Sequence, residues 1–270
     1  MKNLAYSVIA PDKKLKTMKP IVENYHSLIK KFKELEDDLT PDKIHDKRVI
    51  LRRIFPILSA YGIKPSKVKN GEKAFELYGK LRDIQVQLEK LKEVEFTVDL
   101  NEYLYFLKDR EQELQQKVLK FSKKKEIKFP QLDKTRKADY SKIKEKANRQ
   151  LDKLVERVQM QAIDDATEIH ALRIDFKKFR YLVEVLALIE NIDEAKIGKL
   201  KVYQDLLGEI HDYEVLISGI KKFLKKTKPE DEIDVDWLED LQNTLIETFD
   251  NETEQIVEVC RDVIATVTKS

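Results

Sequence analysis

The chain carries the same row of cationic side chains twice. Ile44-His45-Asp46-Lys47-Arg48-Val49-Ile50-Leu51-Arg52-Arg53 returns 125 positions later as Ile169-His170-Ala171-Leu172-Arg173-Ile174-Asp175-Phe176-Lys177-Lys178. On a helix turning about 100° per residue, His170, Arg173, Lys177 and Arg180 fall near 0°, −60°, −20° and −80°. Leu172, Phe176, Phe179 and Val183 gather on the far side, at about 180–240°. His45, Arg48 and Arg52 repeat the row at about 0°, −60° and −20°, while Arg53 and Lys178 sit on the flank near +80°. His45, Arg48 and Arg173 lack acidic partners at i+4: they meet Val49, Arg52 and Lys177. Neighbouring cations repel unless an anion bridges them. A chain of phosphates suits the row. Arg grips phosphate through two donors, Lys acts as a point charge, and His adds a donor that charges near neutral pH. The bland alternative is an amphipathic helix with solvated cations, and the recurrence of the row argues against it.

A second pair of segments follows in the same order. Tyr78-Gly79-Lys80-Leu81-Arg82-Asp83-Ile84-Gln85-Val86 matches Leu207-Gly208-Glu209-Ile210-His211-Asp212-Tyr213-Glu214-Val215, 129 positions on. Two matched segments in one order predict an internal repeat. Gly79 and Gly208 each fall inside a helical stretch, where glycine costs about 1 kcal/mol against alanine. Close approach of two helices, or of the two halves, is the expected reason. Arg82, Asp83, His211 and Asp212 are supporting candidates, either orienting the cations or forming internal salt bridges.

The elements that must position these residues are helical. Charged residues make up 38% of the 270, with only 6 Gly and 7 Pro, which favours long helices over sheet. Periodicity predicts eight helices: Lys19–Asp38, Pro41–Tyr61, Glu72–Lys92, Leu100–Lys125, Lys137–Asp164, Glu168–Glu190, Glu194–Lys226 and Val235–Thr266. Thr40-Pro41 reads as a hydroxyl N-cap before a first-turn proline, and Asp99 with Glu102 has capping-box spacing. Asn70-Gly71 and Thr227-Lys228-Pro229 mark breaks. Lys128–Asp133 is the expected boundary between halves. The fold class predicted is all-α: one domain over residues 1–270, with four-helix halves at 1–130 and 131–270 related by a pseudo-two-fold. A basic groove or pore would lie between them.

Net charge is +2, but the charge is uneven. Leu119–Arg149 holds twelve Lys/Arg against four Asp/Glu, a net of +8. Lys228–Ser270 holds three against thirteen, a net of −10. Local potential, not the total, decides whether an anion binds. The acidic end is expected to be a solvated helix face, or a competitor for the groove. One cysteine, Cys260, excludes an intrachain disulfide and a cysteine-rich zinc site. It is expected to be a buried thiol on the last helix, and His26 a structural histidine. Residues 1–10 hold too short an apolar run for a signal peptide, and no 18-residue apolar stretch offers a membrane span. A cytoplasmic location is expected.

These residues resemble the CHAD family of histidine-containing α-helical domains, over most of the chain. The resemblance rests on His45-x-x-Arg48-Val49-x-x-x-Arg52-Arg53, Arg82-Asp83-x-x-Val86, His170-x-x-Arg173-x-x-x-Lys177-Lys178-Phe179-Arg180-Tyr181 and Tyr203-Gln204-Asp205-Leu206-Leu207-Gly208-Glu209-Ile210-His211-Asp212. It implies two four-helix bundles around a basic groove, inorganic polyphosphate as ligand (phosphate or sulfate as surrogate), and in some members association with polyphosphate granules. By that analogy His45, Arg48, Arg52, Arg53, His170, Arg173, Lys177, Lys178 and Arg180 line the groove. Two departures stand out: Lys177-Lys178 replaces the arginine pair of the first half, and His211 is unexpected. Glu93-Val94-Glu95-Phe96-Thr97 lacks the lysine of a triphosphate-tunnel hydrolase signature, and no stretch is left for such a domain.

Two other readings compete. A metal-dependent phosphohydrolase would use His170, His211 and Asp212. A nucleic-acid or protein adaptor would use the run Lys120–Arg149. Nucleic acid is also a polyanion, but the aromatic residues of the key helices fall on or beside the apolar face, so base stacking is not served. No Walker loop is present, and His45, His170 and His211 lack the Glu three residues before them that a di-iron site needs. The expectation is therefore binding without catalysis, with no cofactor and no metal.

Overall fold

The computed structural model describes residues 19–35, 39–93, 100–132, 140–159, 166–227 and 236–268. Among them the secondary structure is helical: α1 (Lys19–Glu34), α2 (Pro41–Ala60), α3 (Gly71–Glu93), α4 (Asn101–Lys124), α5 (Tyr140–Gln159), α6 (Ala166–Ala187), α7 (Glu194–Thr227), α8 (Asp236–Asn251) and α9 (Thr253–Thr268). A single 3₁₀ turn at Pro65–Lys67 leads into α3.

The predicted break at Asn70-Gly71 is visible. Asn70 adopts a left-handed φ of 64°, which asparagine tolerates, and its side-chain amide donates to the Glu126 carbonyl at 2.7 Å. Pro41 opens α2 as expected, but Thr40 makes no side-chain cap hydrogen bond. Instead its carbonyl accepts from the Ile44 N–H at 2.9 Å. At α4 the cap position belongs to Leu100, without a side-chain cap; Asp99 lies outside the described residues, as do residues 1–10, 94–97, 133–139 and 228–235.

The last predicted helix, Val235–Thr266, is instead two. α8 and α9 are separated at Glu252, whose N–H donates to the Phe249 carbonyl at 3.1 Å, and the Thr253 hydroxyl donates to that carbonyl at 3.1 Å. No proline or glycine marks the break. What the corner achieves is packing: α9 lies on α5 and α7 and buries Ile256, Val259, Cys260, Val263 and Ile264. The acidic segment is thus part of the core rather than only a solvated face.

Helix contacts follow a regular order. α1 packs on α2, α2 on α3 and α3 on α4; α5 packs on α6, α6 on α7 and α7 on α8. The chain's early and late parts then meet through α2 on α6 and α3 on α7. One core cluster runs from Ile21 to Ile264 and takes residues from both. A smaller cluster joins Leu88, Tyr103 and Leu107 to Leu216 and Ile220. The boundary segment is fastened rather than loose: Lys128 pairs with Lys69 in an isolated bridge, Leu132 is buried, and the Tyr25 hydroxyl donates to the Pro130 carbonyl at 2.6 Å. No helix among the described residues is long and apolar enough to cross a membrane.

Candidate anion-binding cleft

Where α2, α3, α6 and α7 meet, a cleft of about 290 Å³ opens. Helical spacing explains its lining. His45, Arg48 and Arg52 project from α2, and Arg173 and Lys177 from α6. From α3 come Arg82, Val86 and Lys90, each a further turn along, with Asp83 beside them. α7 lines it with Gln204, Gly208, His211 and Val215, and with Asp205, Glu209 and Asp212. Among the described residues, no Phe, Tyr or Trp side chain lines it.

The sequence-predicted residues divide into two sets. His45, Arg48, Arg52, Arg82, Asp83, Arg173, Lys177, His211 and Asp212 are brought together in the cleft. Arg53, Lys178 and Arg180 do not line it, and neither does His170. Arg53 points to the other side of α2, its Nε 3.4 Å from Glu184 of α6. Arg180 is buried; its Nε donates to Gln204 at 2.8 Å and its Nη1 to Glu184 at 2.5 Å. Lys178 donates to Asp175 at 3.1 Å, and Asp175 also accepts from Arg157 Nε of α5 at 3.0 Å. The reason is angular. Arg53 and Lys178 sit about 100° from Arg52 and Lys177, enough to point them at other neighbours. Arg180 is at a suitable angle but meets α7 at Gln204. His170 stands behind His211, the two Nδ1 atoms 3.4 Å apart.

The sequence reading missed Lys90, Gln204, Asp205 and Glu209. Lys90 bridges the two helix pairs: its ammonium donates to Glu209 at 3.2 Å and lies 4.9 Å from the Tyr213 ring centre. Its signal was the spacing Arg82-Val86-Lys90, which continues one face of α3. The cleft is therefore mixed, with six Lys/Arg and four Asp/Glu among its lining residues. Arg48 faces Asp83, and Arg82 donates to Glu89 at 3.0 Å.

Three cations remain unmatched. Arg52, Arg173 and Lys177 make no ion pair within 4.0 Å of a described carboxylate. The Nε atoms of Arg48 and Arg173 are buried without a hydrogen-bond partner, an arrangement rare in folded proteins. Burial, and then the charges of Arg173, Arg52 and Arg48, push Lys177 down to about 6. Burial, and then Arg52, push Arg48 down to about 10. His211 is held at about 3 by burial first and by Arg173 next. His45, at the exposed rim, is lowered by partial desolvation and by Arg82. Burial raises Asp212, against the pull of Arg173 and Lys177.

The two glycines do not serve close packing. A Cβ on Gly79 would meet the Arg48 guanidinium at an ordinary 3.6 Å, and one on Gly208 would meet nothing within 4 Å. Both instead leave room on cleft-facing helices. The close approach occurs at Gly219, where a Cβ would stand 2.2 Å from the Tyr103 hydroxyl and 2.6 Å from Gln87 Oε1.

The other competing sites are placed as follows. Among the described residues, His170 and His211 group with Glu214 rather than with Asp212. The basic run contributes Lys123, Lys124 and Lys125 to a separate cavity of about 370 Å³ beside Lys33 and Lys47. Among the described residues, the C-terminal helices contribute nothing to the cleft lining.

Comparison with known proteins agrees with this architecture. No curated protein matches the chain. The crystal structure of the CHAD domain from the plant Ricinus communis matches with a TM-score of 0.54 and 16% identity, over 96% of this chain and 95% of that one; at that identity the likeness concerns the fold alone. The family model of the CHAD domain matches residues 21–219, a span that contains the cleft-lining residues from His45 to Val215, and the chain belongs to the CHAD family.

Proposed function

We propose that the cleft between α2, α3, α6 and α7 binds inorganic polyphosphate and does not cleave it. One observation carries the reading. Cations that face away from the cleft are matched: Arg53 and Arg180 by Glu184, Lys178 by Asp175. Arg52, Arg173 and Lys177, which face into it, are not. An unmatched, half-buried cation costs free energy, and an anion threaded past all three offsets that cost. Arg48 and Arg173 each keep an unused Nε–H, the donor type that phosphate oxygens accept.

In this reading the two matched segments are copies, each half forms one helical bundle, and each contributes one His-Arg row. Membership of the CHAD family supports it, as does the lack of aromatic rings among the described residues of the cleft, which favours a phosphate chain over stacked bases. Association with polyphosphate granules in the cytoplasm follows as a cellular expectation, checked by co-localisation of the tagged protein with stained granules.

The deciding experiment is titration with long-chain polyphosphate at two salt concentrations, with single-stranded RNA as competitor. The reading expects binding that weakens steeply with salt and that RNA displaces poorly. Equal displacement by RNA would reduce the cleft to a general anion surface.

A further inference from the structure

The basic run at the end of α4 does not reach the cleft, yet the fold gives it a cavity of its own. About 370 Å³ opens among α1, α2, α3 and the end of α4. Lys47 of α2 lines it, two residues and about 200° of helical turn from His45. The cavity therefore sits across α2 from the cleft.

Its lining combines two chemistries. Lys33, Lys47, Lys123, Lys124 and Lys125 supply charge. Lys47 is buried, its ammonium 5.6 Å from the Tyr78 ring centre, and the other four lysines are exposed. Those four make no ion pair within 4.0 Å of a described carboxylate. Glu126, the one carboxylate among the described lining residues, pairs with Lys128 at 3.2 Å. Charge alone would describe a solvated patch. The aromatic floor sets this cavity apart: Phe32, Tyr78, Phe121 and Phe129 line it. Phe32 and Phe129 meet edge to face, with ring centres 5.6 Å apart. Phe121 is half-buried and meets no other described ring, so its ring is left for a guest.

The guest that uses both chemistries has a flat ring and several phosphates. Rings stack on aromatic side chains, and lysines take phosphate as point charges. The end of α4 adds a third feature. The Lys125 N–H donates to the Phe121 carbonyl at 2.8 Å and closes the helix. The carbonyls of Ser122, Lys123 and Lys124 fall beyond that last turn, where a helix has no internal donors to offer them. Carbonyls there suit the exocyclic amino group of a base. The volume fits one small molecule, whereas a nucleic-acid strand needs a groove that tracks its backbone. Inorganic polyphosphate would leave the rings unused.

We infer that this cavity binds a nucleoside di- or triphosphate. The base lies on Phe121 against the end of α4, and the phosphates lie on the lysine rim. The site does not rest on polyphosphate as the ligand of the cleft.

The test is calorimetric titration of the full chain with ADP in polyphosphate-free buffer. One ADP per chain is expected. Inorganic tripolyphosphate lacks the ring and adenosine lacks the charge. In a chain with Arg52→Gln and Arg173→Gln, which disables the cleft, ADP affinity should stay within about twofold, and both controls should bind about fivefold more weakly or worse. Lys123→Gln, Lys124→Gln and Lys125→Gln together should weaken ADP binding about tenfold or more. Phe121→Leu should weaken it about fivefold, with helicity unchanged by circular dichroism. Four outcomes overturn the inference: no ADP binding, binding lost with the cleft arginines but kept without the lysines, tripolyphosphate binding as tightly as ADP, or single-stranded RNA displacing ADP through the same lysines. Polyphosphate titration of the triple-lysine variant reads the cleft separately, so failure there counts against the proposed function and not against this site.

Discussion

Arg48 Nη1 stands 3.7 Å from Asp83 Oδ1, joining α2 to α3 at the cleft. The pair is loose, and the arginine's Nε is left over. Asp83 is largely exposed while Arg48 is mostly covered, so the carboxylate can turn to water when a stronger anion arrives. That asymmetry makes Arg48 a cation held ready rather than one fully neutralised.

Adjacent residues therefore separate binding from scaffold. Arg52→Gln should weaken polyphosphate binding by about tenfold or more, since charge-assisted hydrogen bonds contribute about 1.5–3 kcal/mol. Arg53→Gln should leave affinity within about twofold, because an exposed pair with Glu184 contributes about 0–1 kcal/mol. Equilibrium titration of both variants at one salt concentration checks the contrast. The double change Arg48→Glu with Arg173→Glu should abolish binding, with helicity checked by circular dichroism.

Lys177 should make binding pH-dependent. Burial and its cationic neighbours hold it near 6 in the empty cleft, and a bound anion raises it. Binding then takes up a proton between the two values, so affinity should fall as pH rises from 6 to 8. The same depression means the unfolded chain holds this proton more tightly, so Lys177 lets the empty protein gain stability as pH rises above 6. Titration in buffers of differing ionisation enthalpy counts the protons. Lys177→Arg, always charged, should remove this part of the dependence.

The glycines give opposite outcomes. Gly219→Ala drives a methyl into the 2.6 Å hydrogen bond from the Tyr103 hydroxyl to Gln87. Such overpacking costs about 1–3 kcal/mol, and thermal melting should show it. Gly208→Ala meets open space and should leave stability unchanged or raise it by about 0.5–1 kcal/mol.

Asp175 tests the scaffold alone. Burial works against its charge, but hydrogen bonds from Lys178 and Arg157 prevail and hold it below the ordinary carboxylate range. Its contribution is present above the unfolded-state value and lost as pH falls through the folded one. Asp175→Asn should lower stability by about 1–3 kcal/mol in urea titrations and leave polyphosphate affinity unchanged.

The row His45-Arg48-Arg52 and its partner Arg173-Lys177 were legible because a helix face is a matter of spacing alone. Arg53 was not, because its destination, Glu184, depends on how α2 and α6 meet, whereas Lys178 and Arg180 pair with Asp175 and Glu184 one turn away on α6 itself, spacings that were open to a sequence reading. Lys90 was hidden for the same reason as Arg53: its partner Glu209 is 119 positions away. The corner at Glu252 left no trace, since it is set by the docking of α9 rather than by a breaker residue. Removing residues 230–270, attractive if they merely shielded the groove, would instead strip Phe249, Val263 and other core residues.

The unmatched cations of the cleft also bear on how long the molecule survives. A wall that repels itself until an anion enters is a wall whose ligand adds RT ln(1 + [L]/Kd) to folding stability. Proteases that capture opened chains would then degrade the empty protein faster than the filled one. The protein's abundance would follow the supply of its anion, without any transcriptional control, because both parts of the chain must hold together around the same guest.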